Sequence, residues 1–147
     1  MDYEAIRAGF GQAIPFVKFL GLEFLELGPG TATVRLPERP DHTNHVGSQH
    51  AGALFTVAEA ASGGAFVGSF AERLGEVTPL AKAARIDYLK IAKGPIDATG
   101  TLADPDAALA TLDAEGKVEF QIEVELNDAG GTRVASATVD WHVRKNA

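Results

Sequence analysis

The sequence predicts an α+β domain in which an antiparallel sheet of five to six strands wraps around one long central helix. Three observations carry that expectation. From Ala51 to about Phe70 the chain is apolar and rich in alanine and glycine on nearly every side, as a helix must be if it lies inside a core. Val118, Phe120, Ile122, Val124 and Leu126 alternate with Glu119, Gln121, Glu123 and Glu125, the mark of a strand with one buried and one wet face. Ala135, Ala137, Val139, Trp141 and Val143 repeat the pattern against Ser136, Thr138, Asp140 and His142, with Asn127-Asp128-Ala129-Gly130-Gly131 as a hairpin loop between the two segments.

The elements follow in order. A short amphipathic opening around residues 3–10 leads through Pro15 to an apolar segment at 16–20, then to an extended stretch at 22–27. Gly28-Pro29-Gly30 turns the chain into a strand at 31–36, where Ala32, Val34 and Leu36 alternate with Thr33 and Arg35. Residues 37–49 are polar and read as a loop. The helix follows, weakened locally by Gly63 and Gly64. Four strand-like segments complete the chain, at roughly 80–91, 96–103, 117–126 and 132–144. The stretch between the second and third of these has no assigned element. The length of 147 residues suits one domain, 1–147, with a single core.

Composition narrows the function. No residue is cysteine, so disulfides, thiolate metal sites and a cysteine nucleophile are excluded, and any nucleophile is oxygen or nitrogen. A net charge of -7 with no large Lys/Arg cluster argues against nucleic acid as a partner. The opening residues lack the features of a signal peptide and no apolar run is expected to span a bilayer, so a soluble, cytoplasmic protein with no membrane partner is the expectation. Arg85, Lys90 and Lys93 form the one basic stretch that could meet an acidic ligand, although they read first as ordinary solvated charges.

The chemistry concentrates in residues 44–59, where a polar loop enters the apolar helix. Glu59 is the anomaly: a carboxylate among Val57, Ala58, Ala60 and Ala61 suffers desolvation unless paired or hydrated, and burial of this kind raises its basicity. The alternative is an exposed stripe with Glu59 on it. The free N–H groups of a helix start near Ala51 and Gly52 are suited to hold a developing oxyanion, and Gly52 leaves room for a ligand to approach. Ala51 and Glu59 are eight residues apart, roughly 12 Å along a helix axis, too far to serve one carbonyl within one chain. A site shared between subunits of a homodimer follows from that spacing.

The pattern Asn44, His50, Gly52, Glu59 on a loop entering a small-residue helix resembles the hotdog-fold thioesterases of the phenylacetate-pathway and hydroxybenzoyl-coenzyme A kind, or a less characterised thioesterase-like branch of that fold. The likeness extends to element order over nearly the whole chain, including Arg85-Ile86-Asp87-Tyr88-Leu89-Lys90 after the helix. It implies hydrolysis of an acyl-coenzyme A, with Glu59 as nucleophile or general base, Asn44 positioning water or thioester, His50 orienting the loop and polarising the carbonyl, and the Ala51 amide as oxyanion donor. Gly52, Phe55, Tyr88 and Lys90 would contact substrate, and Phe55, Phe66 and Trp141 are either acyl-pocket wall or plain core. It implies no metal and no cofactor beyond the coenzyme A of the substrate, and a homodimer or dimer of dimers. Where the family has glycine this chain has Ala51, whose methyl crowds the acyl group.

Other assignments compete. His45 and Glu59 are fourteen residues apart, the offset of the hydroxyacyl dehydratases of the same fold, but no proline lies between them. His42, His45 and His50 could cluster on a metal, against which their spacing speaks. A non-catalytic protein binding an acyl-coenzyme A or apolar ligand would use the same groove.

Overall fold

The computed structural model describes residues 1–147. Helix α1 (Tyr3–Ala13) starts where Asp2 accepts the Ala5 N–H at 3.1 Å, and α2 (Pro15–Leu20) ends at Gly21 in the left-handed conformation. Strands β1 (Glu23–Gly28) and β2 (Thr31–Leu36) form the expected hairpin. A loop containing one 3-10 turn, Pro40–His42, leads to α3 (Ala51–Ser69). A further 3-10 segment, Ala71–Glu76, precedes β3 (Val77–Tyr88); β4 (Ile96–Thr101), α4 (Pro105–Glu115), β5 (Lys117–Asp128) and β6 (Arg133–Lys145) complete the chain. The six strands form one sheet in the order β1-β2-β4-β5-β6-β3, antiparallel throughout.

The sheet curls over α3 because the two surfaces are made of small residues. A methyl on Gly68 would lie 2.0 Å from the Gly28 carbonyl oxygen, and one on Gly64 only 2.7 Å from Ala32 Cβ, so helix and hairpin backbones touch where only glycine fits. The helix runs unbroken through Gly63 and Gly64, where the sequence weakened it locally; at Gly64 packing outweighs propensity. Around them Val57, Ala61 and Phe70 meet Val34, Ile122 and Val139 in one continuous core.

Three expectations are corrected. Helix α4 occupies the stretch left unassigned, capped by Asp104, which accepts the Ala107 N–H at 3.0 Å, and closed by Gly116 at φ 76°. β3 begins at Val77 and ends at Tyr88 rather than running 80–91, because the N–H groups of Leu89 and Lys90 both turn to the Val134 carbonyl and leave the ladder. An apolar run long enough to cross a bilayer does exist: α3 meets that criterion by length and composition, but 72% of the relevant window is buried inside the domain, as befits its core helix.

α1 and α2 lie over the open side of α3. Arg7 Nη1 donates to the Phe24 carbonyl at 2.6 Å, and Phe10 meets Phe24 edge-on with ring centres 5.2 Å apart. Tyr3, Ile6, Phe10 and Ile14 pack partly buried against the core.

Candidate active site

The loop before α3 is tied down by its own polar side chains. Asn44 Oδ1 accepts the Val46 and Ser48 N–H groups at 3.0 and 3.1 Å, while its Nδ2 donates to Ser48 Oγ at 2.9 Å. Gln49 is buried, and its Nε2 donates to the carbonyls of Pro37 and Gly94. His50 is the N-cap of α3: its Nδ1 accepts the Gly52 N–H at 2.8 Å. An accepting Nδ1 places the imidazole proton on Nε2, which is left as a donor on the exposed side of the ring. A Cβ on Gly52 would come within 3.1 Å of that Nδ1, so the glycine is what lets the ring fold over the helix end.

The capping bond alters the expected oxyanion hole. Of the two amides the sequence offers, that of Gly52 is taken by His50, whose ring lies where a Cβ on Gly52 would point, while Gly52 itself stays exposed. The Ala51 N–H has no partner in the chain and remains available at the positive end of the helix. Tyr88 donates its hydroxyl to the Ala51 carbonyl at 2.9 Å, which fixes that peptide plane, and burial pushes the phenol pKa up so that it stays a donor.

Two turns further along α3, Glu59 opens onto an apolar cavity of about 660 Å³ between α1, α2, α3 and the β6 side of the sheet. It is the cavity's one ionisable group. The side chain is half-buried, and desolvation alone pushes its pKa above the ordinary glutamate value. No cation stands beside it. Phe66 and Trp141 are cavity walls as well as core, whereas Phe55 is not a wall and stands 39% exposed.

The predicted residues fall into three hollows. Asn44, Ala51, Tyr88 and Lys90 line one; His50 and Gly52 line a second; Glu59 lines the third. Thr56 and Phe16 belong to both the second and third, so His50 and Glu59 border one continuous surface of the chain. Thr56 was not singled out from sequence, although it lies three residues before Glu59 and so on the same helix face. Ile6, Phe10 and Ile14 were also missed; their four-residue spacing marks an apolar face, but nothing local connects that face with Glu59.

His45 is exposed at the loop tip, outside the Glu59 cavity, and no group of three His, Cys, Asp or Glu side chains is placed to hold a metal ion. Arg85 is paired with Asp87 at 3.0 Å, while Lys90 and Lys93 are exposed and make no ion pair.

The profile of the family described as "Domain of unknown function (DUF4442)" matches residues 3–143. The chain belongs to that family. Among solved structures, this DUF4442 domain is similar to a Pseudomonas aeruginosa protein of unknown function described as a probable thioesterase, with 31% identity, 99% of this chain and 97% of that one covered, and a TM-score of 0.87. It shares its fold with the phenylacetic acid degradation protein PaaI of Thermus thermophilus, at 24% identity, 88% and 98% coverage and a TM-score of 0.70. A provisionally named esterase of Saccharolobus solfataricus is 26% identical over 141 residues, spanning 95% of this chain and 91% of that protein. The DUF4442 domain thus has the hotdog fold, in its thioesterase-like branch.

Proposed function

We propose that this protein hydrolyses the thioester of an acyl-coenzyme A, with Glu59 as the group that delivers water or attacks directly. The observation that carries the proposal is the solitary carboxylate in an apolar cavity: it has no structural partner to explain it, and desolvation makes it a better base than a solvated glutamate. In the general-base route Glu59 takes a proton from water, the water oxygen bonds to the carbonyl carbon, the C–S bond breaks, and the thiolate leaves with a proton as coenzyme A. In the covalent route the carboxylate oxygen bonds to the carbonyl carbon, the C–S bond breaks and the thiolate leaves with a proton as coenzyme A, and water then cleaves the resulting anhydride to the free acid and the Glu59 carboxylate. Either way negative charge gathers on the carbonyl oxygen, and the free Ala51 N–H with the Nε2–H of His50 are the donors suited to it. Asn44, its amide committed to the loop, is a positioning residue for that helix start.

Ala51 and Glu59 line different hollows of one chain, which supports a site completed by a second copy. β3 offers the surface. It is an edge strand of 12 residues, paired on one side with β6, and mostly exposed along its length. Leu80, Tyr88, Leu89 and Ile91 on and beyond it are each about half exposed or more. Pairing of two β3 edges would join two sheets and bring two α3 starts near the shared boundary.

The test is release of free coenzyme A from a panel of acyl-coenzyme A thioesters, read with a thiol reagent that sees only product because the chain has no cysteine. Glu59→Ala is expected to lose at least about 100-fold in turnover while keeping its far-ultraviolet circular dichroism. One observation favours a second function, ligand binding without turnover: the Asn44 amide expected to position water is already spent within its loop. Wild-type protein that binds acyl-coenzyme A and releases no thiol would establish that function instead.

A further inference from the structure

Of the α3 glycines, the one in the cavity wall is not explained by packing. Glycine is the poorest helix former after proline, yet α3 contains four. At three the reason is steric, since a methyl would meet the Gly28 carbonyl from Gly68, Ala32 from Gly64 and the His50 ring from Gly52. At Gly63 a Cβ would meet only Phe10 Cζ at 3.8 Å and Trp141 Cζ2 at 3.9 Å, ordinary van der Waals contacts. Alanine fits there and would strengthen the helix. What it would remove is cavity space, because Gly63 is a wall of the Glu59 cavity, one turn beyond Glu59.

The polar groups of this cavity are confined to one end. Thr56 and Glu59 lie within a turn of each other, and the Thr56 hydroxyl is spent on the Gly52 carbonyl at 2.8 Å. The Trp141 indole N–H donates to Ser62 Oγ at 3.2 Å and is likewise spent. From Glu59 the cavity follows α3 past Gly63 to Val67, about 12 Å along the axis, with no donor or acceptor side chain free on that stretch. A hydroxyl or amino group carried there would lose its water and gain no partner.

We propose that Gly63 is a specificity-determining residue, which holds open beyond Glu59 a channel for the unsubstituted hydrocarbon tail of a medium or long acyl chain. The position of the tail's carbonyl end rests on the thioesterase proposal; the channel itself does not.

Trp141 is the single tryptophan of the chain and a wall of the channel, so its fluorescence reports occupancy independently of turnover. The experiment titrates S-alkyl-coenzyme A thioethers, which have no carbonyl to hydrolyse, from butyl to hexadecyl, with an ω-hydroxyalkyl thioether for comparison. In wild type the affinity should rise about fourfold per added methylene until the channel is full. Gly63→Leu should move that plateau to shorter chains; Gly63→Ala should move it less and raise the melting temperature, which keeps the test valid if the leucine variant folds poorly. A plateau at the same chain length in all three proteins, or an ω-hydroxyalkyl thioether bound as tightly as its alkyl counterpart, would overturn the proposal. Chain-length dependence sensitive to Gly63, in a protein that releases no coenzyme A from thioesters, would uphold the channel while refuting the thioesterase. Turnover indifferent to Gly63 and to chain length would do the reverse.

Discussion

A single glutamate without a counter-ion makes stability and activity pull in opposite directions at Glu59. Burial favours its neutral form, so the folded chain keeps the proton to a higher pH than the unfolded chain does. The contribution of Glu59 to stability is therefore fully present below the ordinary glutamate range and is lost as pH rises through the raised folded value. Glutamine mimics the neutral carboxyl at every pH. Glu59→Gln is thus expected to melt above wild type at pH 8 and level with it in acid, with the gap opening between those limits; melting curves across pH check this, and a constant gap would refute it. The oddity of this carboxylate was legible in sequence, because its apolar neighbours are adjacent in the chain. Its surroundings were not. Ile6 and Phe10 reach it from α1, some fifty residues earlier, and the capture of the Gly52 amide by His50 depends on a side-chain rotamer that no spacing encodes.

Helix α3 shows at the scale of one element why a glycine count alone is ambiguous. Gly68 and Gly63 look alike in sequence, yet a methyl at the first collides with backbone and at the second does not. Gly68→Ala should destabilise the protein by at least about 3 kcal/mol in chemical denaturation, whereas Gly63→Ala should not destabilise it at all. Equal effects at the two positions would contradict this packing. Strands β2, β4, β5 and β6 and the start of α3 were legible, since each has alternation or a change of period bounded by turn residues. Helix α4 was legible too and went unread: Asp104 and Pro105 open it and Gly116 closes it, but its many alanines give its faces little contrast. β3 was legible as a strand but not in its bounds, since exposure along most of its length erases the alternation that marks its neighbours.

The whole molecule is asymmetric. One sheet edge, β1, is covered by α1 through the Arg7–Phe24 bond, and the other, β3, is bare. If two β3 edges pair, Ala81→Lys/Ala83→Lys, both at exposed positions, should leave the fold intact, give a monomer in sedimentation velocity, and lower turnover at least about tenfold by separating Ala51 from the partner copy's cavity. A dimer of full activity would exclude this edge as the interface. The covered side has a consequence of its own. No residue of α1 is fully buried, although α1 is a wall of the Glu59 cavity; the partial burial of Tyr3, Ile6 and Phe10, one guanidinium bond and one pair of aromatic rings hold it in place. The free energy for releasing this helix is accordingly a fraction of that for unfolding the sheet and α3. The fold and the pocket are thus expected to fail separately: on warming, hydrogen exchange at the α1 amides should rise before that of α3 and β5, and a common onset would contradict this.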